Sequence, residues 1–259
     1  MLWFSMSTKV TIFIKSWARD LKWLSYALRS IECNWETPET EVVLVLDEDC
    51  RGRISGSDFN LDLSVFYVKP WPDGYCHAMY VKTMADEFSR GELIVLTDSD
   101  CILTGPSDLN DLGAYQPIIP YMSYKEHNEM YSVSPWQRVT ERLARQGTQK
   151  HYMASTPIMY HRSTFAGMRQ WLTRLHGQAY WDLVYSGVEF RPERFGTHPI
   201  TLIDYDLLGY YADHFEPGFY RVRELKEVQP SKWKQYHSWS QSPEAMEVAK
   251  VWNLTIPYF

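Results

Sequence analysis

The sequence predicts an α/β fold, a mostly parallel sheet with helices on both faces, and three observations carry that prediction. Apolar, β-branched runs of strand length recur along the first hundred residues. Segments with helical spacing separate them, and several of the apolar runs end in charged or polar residues. Strands that are apolar on both faces need helices over each face, which is how parallel sheets are built. In such sheets ligands bind beyond the carboxyl ends of the strands, so the polar endings matter.

The elements follow in order. KVTIFIK, Lys9 to Lys15, is a β-branched run that reads as the first strand. ARDLKWLSYALRSI comes next, with Leu21, Leu24, Ala27, Leu28 and Ile31 at helical spacing. EVVLVLDED, Glu41 to Asp49, is a second strand ending in acids, and LSVFYVK, Leu63 to Lys69, is a third. YCHAMYVKTMADEFS, Tyr75 to Ser89, predicts a helix stopped by Gly91, and ELIVLTDSD, Glu92 to Asp100, a fourth strand. The pattern then changes. YQPIIPYMSYKEHNEMYSVSPWQ, with its prolines and polar residues, predicts a loop, and QRVTERLARQG a short helix. MASTPIMYHRSTFAGMRQWLTRLHG predicts a strand leading into a helix, and HPITLIDYDLLGYYADHF a strand turning into a helix around Asp204. KWKQYHSWSQSPEAMEVAKVWNL is polar and aromatic, then weakly helical. Without an internal repeat or linker, one domain over residues 1–259 is expected.

Composition narrows the function. The chain has 259 residues and a net charge of -6, which argues against a general nucleic-acid binder. Aromatic residues make up 15%, with 11 Trp and 18 Tyr, a content that serves a core or a stacking surface for flat ligands. Cys33, Cys50, Cys76 and Cys101 show no metal-ligand spacing and read as free thiols of a reducing compartment. The opening MLWFSMSTKVTIFIKSW lacks a basic stretch before its apolar run and carries Lys9 inside it, unlike a signal peptide. No run approaches the roughly 18 apolar residues of a membrane span. The expected location is cytoplasmic.

The fourth strand ends in Thr97, Asp98, Ser99 and Asp100. Burying two carboxylates is costly unless a cation or donors compensate. One Asp at a strand end is ordinary turn chemistry, whereas Asp-x-Asp beyond a buried parallel strand presents hard oxygen ligands suited to Mg²⁺ or Mn²⁺.

IVLTDSD, after a β-α-β start and a lysine-bearing helix, resembles the nucleotide-sugar-dependent glycosyltransferases of the GT-A fold, with Asp98-Ser99-Asp100 as their DxD motif. The resemblance covers Lys9 to about Gly105 and continues faintly at TLIDYDLLGYY and YHSWS. It implies a UDP-sugar or related nucleoside diphosphate sugar donor, a glycan or other hydroxyl-bearing acceptor, and Mn²⁺ or Mg²⁺ as cofactor. A modified nucleic-acid base is a conceivable acceptor without support from the charge. Residues 1–105 would form the donor half and 106–259 the acceptor half.

The same resemblance assigns the candidate residues. Asp98 and Asp100 would hold the metal, with His237 completing its shell between Trp233 and Trp239; a histidine in a surface aromatic segment is the alternative. Asp98 and Ser99 would also face the donor. Lys15, Ser16 and Arg19 follow the first strand, where the base and ribose bind, with Asp20 either beside them or serving the first helical turn. Asp47 and Asp49 end the second strand and share that role. Lys82 would sit by the diphosphate or lie solvated on the surface, and His77, five residues earlier, need not share its face. Asp204 would face the acceptor or act as a helix N-cap, with Asp206 and then Glu189 as further carboxylates. His151, His161 and Met153 to Pro157 would line the acceptor side, and Tyr121 to Lys150 would close as a lid.

Two rivals remain. A nucleotidyltransferase would show a Gly-rich phosphate loop after the first strand, where this chain has KSWARD. A non-catalytic nucleotide-sugar-binding module would carry the same residues without turnover.

Overall fold

The computed structural model of the chain describes residues 9–131, 135–153, 156–185, 193–195 and 198–236. The first half contains β1 (Val10–Ser16), α1 (Leu21–Asn34), β2 (Thr40–Asp47), β3 (Asp62–Val68), α2 (Gly74–Thr83), α3 (Ala85–Phe88), β4 (Leu93–Asp98) and β5 (Cys101–Leu103). The second half adds β6 (Ile118–Ser123), α4 (Tyr124–Tyr131), α5 (Pro135–Ala144), β7 (Lys150–His151), β8 (Ile158–His161), α6 (Arg162–His176) and α7 (Tyr180–Tyr185). It continues through β9 (Glu193–Phe195), β10 (His198–Ile200), α8 (Asp204–Phe215), β11 (Arg221–Glu224) and β12 (Trp233–Gln235).

The main sheet has the order β3-β2-β1-β4-β8. Its first four strands are mutually parallel, and β8 runs antiparallel along the outer edge of β4. Alternation sorts the side chains to two cores. Ile12, Ile14, Val42, Leu44 and Val95 pack with Leu21, Leu24, Leu28 and Ile31 of α1. Phe13, Val43, Val45, Ile94 and Leu96 face the other way, toward α2, α6 and α8. Burial on both faces explains why these strands read as continuous apolar runs. The chain lays β1, β2 and β3 in one direction, then returns to place β4 on the free side of β1. That reversal opens a crevice at the carboxyl ends of β1 and β4, where Lys15 is paired in register with Asp98.

Smaller ladders finish the molecule. β6 pairs with β11 in parallel and with β7 antiparallel, β9 pairs with β10, and β12 pairs back onto β5. Among the described residues no helix is long and apolar enough to cross a membrane.

Three expectations change. The fourth strand stops at Asp98, so Ser99 and Asp100 form a turn into β5. The helix expected from Tyr75 to Ser89 breaks at Met84, which caps α2 and starts α3. Beyond the break Asp86 accepts from both terminal guanidinium nitrogens of Arg169 on α6, at 2.6 and 2.9 Å. Part of the expected loop of residues 115–137 is β6 and α4. The strand is specified by partners far along the chain, so its prolines outweigh its local signal. Within Tyr121 to Lys150, the stretch expected to close as a lid, the side chains of Tyr124, Val139 and Leu143 are buried.

Candidate functional site

Three strand ends and two helices build the site. β1 supplies Lys15 and Ser16, β2 supplies Asp47, and β4 with its turn supplies Asp98, Ser99 and Asp100. α2 runs above them with His77 and Lys82, and α8 brings its first turn from the second half of the chain.

Lys15 and Asp47 form a buried pair, Nζ to Oδ1 2.7 Å, and Lys15 also donates to the Ser16 carbonyl at 2.8 Å. His77 Nδ1 lies 3.4 Å from the same Asp47 oxygen, and its ring stacks on Trp71. Burial alone would raise the Asp47 carboxyl, but His77 and Lys15 outweigh it and hold the group below its ordinary range. Burial lowers the Lys15 ammonium, only partly offset by Asp47. The Ser16 hydroxyl is buried with no hydrogen-bond partner among the described residues. Arg19 and Asp49 are exposed, and Asp20 approaches Ser99, whose hydroxyl donates to it at 3.4 Å.

The second group centres on Lys82. Its side chain is only 9% exposed, so the surface-lysine alternative falls. The ammonium is bonded to Asp98 Oδ1, lies 3.3 Å from Asp204 Oδ2 and sits 4.8 Å over the Tyr205 ring. Burial would lower this ammonium, but the charges of Asp204 and Asp98 raise it well above its ordinary value. Burial raises the Asp204 carboxyl, and Lys82 offsets that only in part. Asp98 is 25% exposed on its side chain, and its other oxygen accepts from Gln235 Nε2 at 3.3 Å.

Asp204 does not cap its helix. Ile203 is the N-cap residue, with no side-chain cap bond, and Asp204 occupies the first helical position with its carboxylate turned to Lys82. Asp206 lies about 200° further round the helix and faces away from Lys82. Fully buried, it accepts from Tyr124 Oη at 2.6 Å, His151 Nδ1 at 3.1 Å, Tyr152 N at 2.6 Å and Met153 N at 3.2 Å. Burial would raise its carboxyl, but His151 and these donors leave it lowered. Thus His151 and Met153 meet Asp206 rather than Asp204. His161 pairs with Leu93 at the amino end of β4, away from the strand ends that hold the acids. His237, Trp239 and Glu189 lie outside the described residues.

For a cation the carboxylates of Asp98 and Asp100 are the fitting donors. One ligand atom from each, together with Cys101 Sγ, lies within 4.8 Å of the others. The Cys101 thiol is pushed upward by burial and then by the two carboxylates, and a soft sulfur is a poor match for a hard cation. Two hard oxygens suit Mg²⁺ or Mn²⁺. Sequence reasoning missed Gln235 and Tyr205. Gln235 stands two residues before His237 and Tyr205 between the two acids, but neither residue type signals a site by itself.

No protein-family model matches the sequence, and no curated protein does. Among solved structures, the chain is similar to the galactosyltransferase LgtC in complex with donor and acceptor sugar analogs. The TM-score is 0.53 at 12% identity, covering 95% of this chain and 97% of that one. The likeness shows the fold, a mainly parallel sheet flanked by helices in the GT-A manner.

Proposed function

We propose that the chain is a metal-dependent glycosyltransferase, moving a sugar from a nucleoside diphosphate sugar, a UDP-sugar in the first instance, to an acceptor hydroxyl. One observation carries this reading. Asp98, Asp100, Lys82 and Asp204 gather from separate elements at the carboxyl end of β4, where the sheet order reverses. Three carboxylates beside one ammonium leave an excess of negative charge that a divalent cation would offset, and the cation with the Lys82 ammonium would in turn attract a diphosphate. The GT-A fold supports the reading, with residues 1–105 as the donor half and 106–259 as the acceptor half.

In this reaction the bond from the anomeric carbon to the diphosphate breaks through an oxocarbenium-like transition state, while charge builds on the leaving group. A bound Mn²⁺ or Mg²⁺ supplies Lewis-acid stabilisation of that charge, and Asp98, Asp100 and His237 would hold it. Lys82, held in a dry setting, offers a second positive charge to the diphosphate. Lys15, Ser16, Arg19, Asp47 and Ser99 form the nucleotide side, with the buried Ser16 hydroxyl available to a ligand. Asp204 faces the acceptor, where its raised carboxyl is the better proton acceptor of the two α8 acids. Asp206 holds the Tyr152–Met153 backbone in place and does not reach the reacting atoms.

The test is a thermal-shift titration with UDP and UDP-sugars, with and without Mn²⁺, since a ligand bound only by the native state raises its stability. Wild type should show a shift that needs both ligands, and Asp100→Ala should lose the Mn²⁺-dependent part while keeping its own melting point within a few degrees. If Asp100→Ala responds to Mn²⁺ as wild type does, the proposed metal site is wrong. Donor hydrolysis with Mn²⁺ then separates an enzyme from a binding module.

A further inference from the structure

Resting on the reading of this crevice as a cation-assisted donor site, we infer that Lys82 is a resident cation that competes with the divalent ion for Asp98 and yields when a diphosphate arrives. Both oxygens of Asp98 are engaged by the chain itself. Oδ1 carries the Lys82 ammonium, and Oδ2 accepts from Gln235 at 3.3 Å. A divalent ion shared by Asp98 and Asp100 has to take an Asp98 oxygen, and it brings two positive charges next to a buried ammonium. Like charges in a poorly screened site oppose each other strongly.

The ammonium has somewhere to go. Asp204 Oδ2 already stands 3.3 Å from it, and the Tyr205 ring lies 4.8 Å beneath. Releasing Asp98 therefore leaves Lys82 with one carboxylate and a π face, and diphosphate oxygens would add a stronger anion. The other buried lysine makes the contrast. Lys15 is paired with Asp47 at 2.7 Å, but Asp47 is no member of the acid group that suits a cation. Among the described lysines, Lys82 alone occupies the place the ion needs.

The exchange swaps ion pairs and forms no covalent bond. Its consequence is positive coupling: a diphosphate that draws Lys82 away improves ion binding, and by linkage the ion improves diphosphate binding by the same factor. With no donor present, the ammonium offsets part of the acids' charge and holds an Asp98 oxygen, so the crevice binds the ion weakly.

Mn²⁺ binding followed by electron paramagnetic resonance, in the presence and absence of UDP, tests the exchange on the folded full chain. Lys82→Met should bind Mn²⁺ alone at least about tenfold more tightly than wild type, and the gain that UDP gives should shrink correspondingly. Lys82→Arg, which keeps the charge, should bind free Mn²⁺ as weakly as wild type. A Met variant that binds Mn²⁺ no more tightly than wild type overturns the inference. Should that variant fail to fold, Asp204→Asn decides. Without its second anchor Lys82 stays on Asp98, so Mn²⁺ should bind about threefold more weakly or worse; equal or tighter binding overturns the exchange. Wild type that binds no Mn²⁺ even with UDP sinks the donor-site reading and the exchange together. Ion binding that is alike in all variants sinks the exchange alone.

Discussion

Asp204 and Asp206 show how far two neighbouring identical residues can diverge. Both are buried acids in the first turn of α8, yet one meets Lys82 and the other is saturated by four donors. The amide of Asp204→Asn keeps the shape but cannot accept a proton. That variant should hold nucleotide sugar within a few-fold of wild type while transfer falls by about a hundredfold, the ordinary scale for losing a general base. Steady-state transfer rates beside a donor-binding isotherm decide it, and transfer within a few-fold of wild type would remove Asp204 from the chemistry. Asp98 and Asp100 are legible in the sequence because two acids closing a buried strand cost free energy that a cation or donors must offset. Lys82 is legible only as a charge on a helix. Its meeting with Asp204 joins opposite halves of the chain, and no local pattern encodes such a contact. The different fates of Asp204 and Asp206 follow from helical geometry once the start of α8 is fixed, and a sequence pattern leaves that start open by a residue.

The strands and helices of the first half are legible in their order because each carries its own periodic signal. β6 and α4 are not, since β6 gains its order from β7 and β11 rather than from its own residues. Close packing makes α8 sensitive to a single change. At Gly209 an added Cβ would come within 2.4 Å of both Cβ and Cγ of Tyr152, whose phenol donates to Asp213 at 2.7 Å. The neighbour is the root of a buried side chain and cannot swing aside. Gly209→Ala should therefore destabilise the fold by about 1–3 kcal/mol, despite the better helix propensity of alanine. Urea denaturation measures it, and a neutral or stabilised variant would mean that α8 and β7 can separate at small cost.

Across the whole molecule, acid should unfold the chain earlier than its surface charge suggests. Burial and then His151 lower His127 from its ordinary 6.5, so its contribution is complete above that pH and fades as pH falls through the lowered value. The Asp206 and Asp47 carboxyls are lowered from 3.8, and their contribution is lost below that in the same direction. Asp204, raised by burial, works the other way and only softens the trend. Melting temperature should decline from about pH 6.5 and drop steeply below about pH 4. Asp206→Asn should melt lower at neutral pH and show a flatter acid limb; an unchanged limb would take Asp206 out of the balance. The pairing of β12 with β5 has a consequence for biosynthesis. Thr104 donates through its hydroxyl to the carbonyl of Lys232, 128 positions later, and Tyr236 N donates to the Asp100 carbonyl at 3.1 Å. A ribosome delivers β1 to β5 long before it delivers β12, so a nascent chain can build its parallel sheet while the acid turn still lacks its clasp. Arrested chains ending before Ser231 should resist protease across β1 to β4 yet gain no protection from UDP with Mn²⁺, which would make translation of β12 the moment at which the protein becomes able to hold a nucleotide.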